Sequence, residues 1–553
     1  MNDYDPIPFN WLMGFQTWGI VCGLMFLGAV ILAFALQVLS HTLQEFEQIG
    51  PGKPRRSLFQ GLRNGSAAFA NGLIEGFQDL FWMSPRRVGA ISVLVFRESV
   101  RRKTLLVLVV FAICFLFAGW FLSDPNRDPL LRIPIYVTFV LTAISWLILP
   151  AVFLLSCWGL PDDIKARSLH TVVTKPVKRS EILVGRILGV TMVGTLVVAV
   201  MSVVGFLWLV RALPEVSGIQ TRVPVFGTIS FLDREGKPAK EGINVGDINM
   251  FRSYIEGDTA ARAIWKFSGV SPRLLNKDGK LVLESKIQGF RTHKGNLERG
   301  IIFQYTFVNP TRNIRAKFQP FEIAEFRDSI KPIDNDLIDE QNHPVKLMTD
   351  IVDNGQLTVE VACLSTGQFL GMARPDVFIR AQDAPFAASF FKAVLCIWLM
   401  MFLIIVFAVS VSTIVKGPVA SFLTGVIIVL GVFGRDFMQS LVTGEGDHKW
   451  NGGGMLESAY RIVTHMNPMV PMEKGFWTTV VQVLDTPMLL FAGHSRAIIP
   501  DFETFQMAKF VAHGYDVPWN SGLLPAIMHT LAFLVPCVVL GYFCLKSREL
   551  ESK

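Results

Sequence analysis

Ionisable side chains crowd one short stretch of an otherwise apolar chain. Residues 160–186, "LPDDIKARSLHTVVTKPVKRSEILVGR", carry Asp162, Asp163, Lys165, Arg167, His170, Lys175, Lys178, Arg179, Glu181 and Arg186 between two charge-free runs. Leu169, Val172 and Val173 are spaced i, i+3, i+4 and so share one face of a short helix. Pro176 ends that helix, because the residue before a proline is pushed out of the α region. Ser180 then suits a helix N-cap, with Glu181 well placed in the first turn. An apolar helix face in a basic loop has two uses. It can fill the groove of a partner protein, or it can lie against the membrane while Lys and Arg meet anionic headgroups. The residues alone leave both open.

Catalytic patterns do not accompany this stretch. No G-x-x-x-x-G-K-[ST] loop occurs, and "GPGKPRR" at 50–56 lacks the strand, spacing and helix of a nucleotide site. H-E-x-x-H and G-x-S-x-G are also missing. His293 and His343 have no close ligand neighbours. "DNDLIDE" at 334–340 lacks the glycine and terminal glutamate of a calcium loop and reads as a solvated acidic turn. No metal site, and no cofactor bound by this chain, is expected.

The elements around these residues are set by hydropathy. The chain has 553 residues, 51% hydrophobic and only 18% charged, with a mean hydropathy of +0.43. A soluble domain carries about 25% charged residues. Seven apolar runs, at 11–39, 104–122, 133–158, 187–210, 393–415, 418–434 and 521–545, approach the ~20 residues that cross a bilayer. The first has acids ahead of it but no basic residue, so it reads as a retained helix rather than a signal peptide. Basic residues at 53–103, 165–186, 416 and 546–553 then mark the cytoplasmic side, with the N-terminus outside and the C-terminus inside a plasma or inner membrane. The net charge of +7 reflects this bias, and nothing in the chain supports nucleic-acid binding. Six of the seven cysteines lie in apolar runs as small hydrophobes, and Cys363 stands alone. His529 is the one clear ionisable residue within a span, where a packing hydrogen bond is the simplest role.

Residues 212–385 break the helical pattern. "VPVFGTISFLD", "KLVLESKIQGF", "GIIFQYTFVN" and "QLTVEVACL" alternate apolar and polar residues, as half-buried strands do, and Asp278-Gly279 marks a turn. The expected class is therefore an all-α polytopic membrane domain with a β-rich, sandwich-like extracytoplasmic domain inserted between its fourth and fifth spans. The expected divisions are an extra span at 1–40, a cytoplasmic linker at 41–87, spans two to four at 88–211, the β-domain at 212–385, and spans five to seven at 386–553. Within the last part, 435–520 is expected to hold a re-entrant or interfacial segment broken at Asp485 and Pro487.

The stretch "ARSLHTVVTKPVKRSEILVGRILG" resembles the cytoplasmic loop of ABC-2 type transporter permeases. Leu169, Pro176, Val177, Arg179, Glu181, Ile182, Leu183 and Gly185 match the family run leading into its third core helix. Arg186 stands where the family has Lys, Ser168 replaces its Gly, and Asp162 or Asp163 replaces its Glu. "LVFRESVRRKTLLVLVVFAI" resembles the amphipathic elbow before the first core span, and "YFCLKSREL" the basic exit from the last. Runs two to seven would then be a six-helix ABC-2-like core.

That resemblance implies a membrane subunit of an ABC exporter, with no catalysis of its own. A separate ATPase would use ATP and Mg, and a second permease copy or a paralogue would complete a dimer in the lipid bilayer. The loop helix at 162–174 would dock in the ATPase as a lever bracketed by Pro161 and Pro176. The implied docking residues are Asp163, Lys165, Arg167, Leu169, His170, Val172, Val173, Lys175, Pro176, Arg179 and Glu181. The implied elbow residues are Arg97, Arg101, Arg102 and Lys103. A rival reading is a non-transporting scaffold that presents or moves the β-domain. A secondary transporter fits poorly, because its intramembrane charges are missing.

Overall fold

The computed structural model describes isolated positions between 12 and 34, then 78–79, 82–101, 105–122, 129–165, 177–213, 220–239, 242–243, 252–276, 278–291, 300–323, 329–381, 383–434, 454–466 and 475–547. Two compact units emerge. One is helical, and the other is built from Ile219–Ser389 with Gly514–Asp516.

The helical unit contains α1 (Pro85–Arg101), α2 (Leu106–Leu122), α3 (Pro129–Lys165), α4 (Arg179–Ala212), α5 (Phe386–Ser412), α6 (Gly417–Val429), α7 (Met455–Val463), α8 (Phe476–Ile498), α9 (Ala508–Ala512) and α10 (Leu524–Ser547). Five of the apolar stretches form helices long and apolar enough to cross a membrane: Arg132–Lys165, Arg179–Ala212, Phe386–Ser412, Gly417–Gly434 and Trp519–Lys546. These make the chain a membrane protein. The run at 104–122 forms a helix of 17 residues, and that at 11–39 lies mostly outside the described residues. α3 and α4 are 37 and 34 residues long. At 1.5 Å per residue each outreaches a ~30 Å hydrocarbon core by several turns.

Two expected helix breaks are absent. α3 runs through Pro161, as it does through Pro134 and Pro150, so Asp162, Asp163 and Lys165 end a long helix rather than open a short one. A proline removes one ladder bond, and packing by neighbouring helices compensates. α8 likewise passes Asp485 and Pro487 without a break. Asp485 is 2% exposed because its carboxylate serves another helix. It accepts the amides of Leu456 at 3.0 Å and Glu457 at 2.7 Å, capping α7 across the gap. Phe476, Trp477, Val483, Leu484 and Leu490 remain exposed along α8.

The second unit is β-rich, as the alternating segments predict. Strand Gln356–Cys363 lies between Ile301–Asn309 and Arg262–Ser268 in a seven-stranded antiparallel sheet. A four-stranded sheet places Leu281–Ser285 between Ser329–Ile333 and Val377–Arg380. Their inward residues form one core, with Trp265, Phe303, Tyr305, Phe307, Val359 and Val361 from one sheet meeting Leu281, Leu283, Val377 and Ile379 from the other. Asn276 folds the expected turn by accepting the amides of Asp278 and Lys280, and Gly279 takes φ +72°. The acids of 334–340 are structural. Asp339 accepts the amides of Gln341 and His343, Asp334 pairs with Lys280, and Glu340 with Lys317.

The unit's ends differ from the expected 212–385. Strand Gln220–Thr221 pairs with Ala384–Pro385, and Arg222 bridges in parallel to Tyr515. Thr221 Oγ1 meets Ser389 Oγ at 2.8 Å, and Ser389 donates to Asp516 Oδ1 at 2.5 Å. The distant tripeptide Gly514–Asp516 thereby joins the β-unit, which no local pattern announces.

Asp376 is 4% exposed and receives Arg252 through two bonds of 2.7 and 2.9 Å, plus the Ala373 amide. Asp376→Ala strands the guanidinium and is expected to cost about 3 kcal/mol, read as accelerated hydrogen exchange of Val377–Arg380. Burial pushes the Cys363 thiol up to about 11. At pH 7.5 it is therefore expected to resist alkylation in the folded chain and to react once the β-unit unfolds, as peptide mass mapping would record.

Candidate functional site: a clamped polar junction

The conspicuous polar assembly of the helical unit surrounds the two ends of 166–176. Its base is the contact of α1 with α4. Val88, Ser92, Val95 and Ser99 form the buried stripe of α1. They meet Gly185 and Gly189, four residues apart on α4, so the two helices run side by side in the same direction. A Cβ on Gly189 would stand 2.7 Å from Val95 Cβ and 2.8 Å from the Ser92 carbonyl. Ser92 Oγ donates to the carbonyl of Gly185 at 3.0 Å and to that of Val88 at 2.9 Å. Only glycine allows backbones this close.

One turn before that contact, the Glu181 carboxylate is wholly buried. Oε1 accepts the Ser84 amide at 2.9 Å and Arg87 Nε at 3.1 Å, while Oε2 accepts the Lys178 amide at 3.1 Å. One side chain therefore closes the start of α4 and anchors the start of α1. The cap residue is Lys178, not Ser180 as the spacing suggests. With Glu181 filling the capping role, Ser180 Oγ donates instead to the Asp79 carbonyl at 3.0 Å.

The other end of the segment is pinned by α3. Asp163, in its last turn, forms a hydrogen-bonded ion pair with Arg186 of α4. Arg186 is 5% exposed and lies against Gly159, where any Cβ would collide with the guanidinium. Leu160, Ile182 and Leu545 pack beneath, joined by Ile91, Ile164 and Val177. Arg179 NH1 donates to the carbonyls of Leu545 at 3.1 Å and Lys546 at 2.5 Å, a cation placed at a helix C-terminus.

Of the implied docking residues, Asp163, Arg179 and Glu181 come together at this junction, and Lys165 ends α3. Arg167, Leu169, His170, Val172, Val173, Lys175 and Pro176 lie outside the described residues, as do Arg102 and Lys103 of the elbow. Arg97 and Arg101 sit on α1 beside a shallow groove lined by Ala90, Val93, Leu94 and Glu98. Sequence reasoning missed Asp79, Ser92 and Tyr542. The glycine spacing in "GRILG" was a readable signal for the α1 contact, whereas Asp79 had none. His529 accepts the Asp501 amide at 2.8 Å and packs edge-on to Phe505 and Phe533, so its nitrogen serves helix packing.

The polar groups of the junction join helix ends. Asp163 pairs with Arg186, Glu181 with Arg87 and two backbone amides, and Arg179 with backbone carbonyls; no cluster of three or more His, Cys, Asp or Glu fit to hold a metal occurs among the described residues. The junction ties the end of α3 to the starts of α4 and α1. Gly189→Val is expected to separate α1 from α4. It should read as faster hydrogen exchange of α1, with a fall in thermal stability of the detergent-solubilised chain of about 2 kcal/mol, the usual range for overpacking. Comparison with known proteins returns no matching family model, no similar curated protein and no similar solved structure.

Proposed function

We propose that this chain is the membrane-spanning permease subunit of an ATP-driven ABC-2 type exporter. It would couple ATP hydrolysis by a separate cytoplasmic ATPase to movement of a substrate from the cytoplasm or inner leaflet. The observation that carries this reading is the double anchoring of 166–176. Asp163–Arg186 fixes the residues before it and Glu181 those after it, so a load arriving at either end passes into α3, α4 and α1. That is the mechanical requirement of a lever, and the resemblance to the ABC-2 loop falls on the same residues. ATP and Mg belong to the partner ATPase, a second permease copy or paralogue completes the dimer, and the C-terminus lies in the cytoplasm.

A second reading is favoured by the β-unit. Its seven- and four-stranded sheets enclose a core of its own, so the helices could serve to present or move that unit without transporting anything. Both readings place an ATPase on the same junction if the work is mechanical, and neither gives this chain catalysis.

Affinity purification of the tagged full chain in mild detergent tests the proposal. A stoichiometric ATP-binding-cassette subunit is expected to remain bound. Leu169→Asp and Val173→Asp, which charge the apolar face, are expected to lower its yield at least tenfold while the permease still inserts. Full recovery of the ATPase with both variants would overturn the docking role, and repeated absence of any ATPase would leave the anchored scaffold.

A further inference from the structure

The segment ahead of α1 carries one acidic residue that holds two helices at once. Asp79 Oδ1 pairs with Lys178 Nζ at 3.1 Å, at the start of α4. Its Oδ2 accepts the Tyr542 hydroxyl at 3.0 Å, near the end of α10. The Asp79 carbonyl accepts Ser180 Oγ at 3.0 Å. Tyr542 is 1% exposed, so its hydroxyl is aimed at this carboxylate from within the bundle.

Other contacts in the same place do a different job. Ile182 packs on Leu545, and Gly541 lets α10 approach Leu183, where a Cβ would lie 3.1 Å from the leucine methyl. Apolar contact of this kind brings helices together but resists sliding weakly, because one methyl replaces another at little cost. Two directional bonds from one carboxylate respond otherwise. A shift of α10 by one turn, about 5.4 Å, breaks the Tyr542 bond entirely. Arg179 adds a second directional tie to the same end of α10 through the Leu545 and Lys546 carbonyls.

We propose that Asp79 is a positioning residue that locks the register between the start of α4 and the C-terminal end of α10. A push on the start of α4 then moves α4 and α10 as one body. The source of the push rests on the proposed function; the register lock does not.

Double electron–electron resonance on the full chain in nanodiscs tests this, with spin labels at Leu188 on α4 and Val535 on α10, which are 41% and 50% exposed. The otherwise unaltered chain is expected to give a single narrow distance distribution. Tyr542→Phe, which removes one oxygen and preserves packing, and Asp79→Ala should each at least double its width or add a population about 5 Å away. Asp79→Asn keeps an acceptor for Tyr542 and should restore most of the narrow component. With an ATPase bound, ATP addition should leave the parental distance unchanged and shift it in the first two variants. Distributions that superimpose on the parental one for both Tyr542→Phe and Asp79→Ala would overturn the lock, even with an ATPase present. Broadening in the absence of any ATPase would support the lock while the proposed function failed.

Discussion

The buried carboxylate of Glu181 is the constraint on which the helical junction depends. A charged group with no water must find its partners inside the fold. Glu181 finds two backbone amides and a guanidinium, from two stretches of chain, the start of α1 and the start of α4. Satisfying it fixes where α4 begins, where α1 begins and how the two lie together. The glycines one and two turns later, Gly185 and Gly189, can then be used for close packing. Removing water thus converts one acidic side chain into the reference point of the bundle end.

The same rule of polar satisfaction operates throughout both units. Asp485 inside α8 caps α7, Asp376 collects Arg252 in the β-unit, and Thr221, Ser389 and Asp516 bond in a chain at the base of that unit. Asp485 and Asp376 accept backbone and guanidinium donors, and Asp516 accepts a hydroxyl. None sets up a nucleophile beside a base, so these polar clusters hold structure and can bear load.

The legible parts of the sequence were those governed by period and length. Alternation in 301–309 and 356–363 gave strands, and charge-free runs gave long helices. The strand Arg262–Ser268 was overlooked because the apolar Ile264, on the outward face with Arg262 and Lys266, blurs its alternation, although its burial alternates cleanly once folded. Pro161 and Pro487 were over-read as breaks. A proline's cost is local, whereas the packing that offsets it comes from other helices. At the candidate site, Glu181, Arg179 and Asp163 were legible as types, but their partners were not.

By itself the sequence determined that this is a membrane protein with a β-rich insertion and a polar segment between two apolar runs. Hydropathy and residue period are properties of consecutive residues, so they survive without a structure. Only the tertiary structure decided that Asp79 reaches Tyr542, 463 residues away, that Gly514–Asp516 belongs to the β-unit, and that Ser180 is not the cap. Those outcomes turn on distances of about 3 Å between groups far apart in the chain. Such distances are set by how whole helices and sheets pack, not by any local pattern.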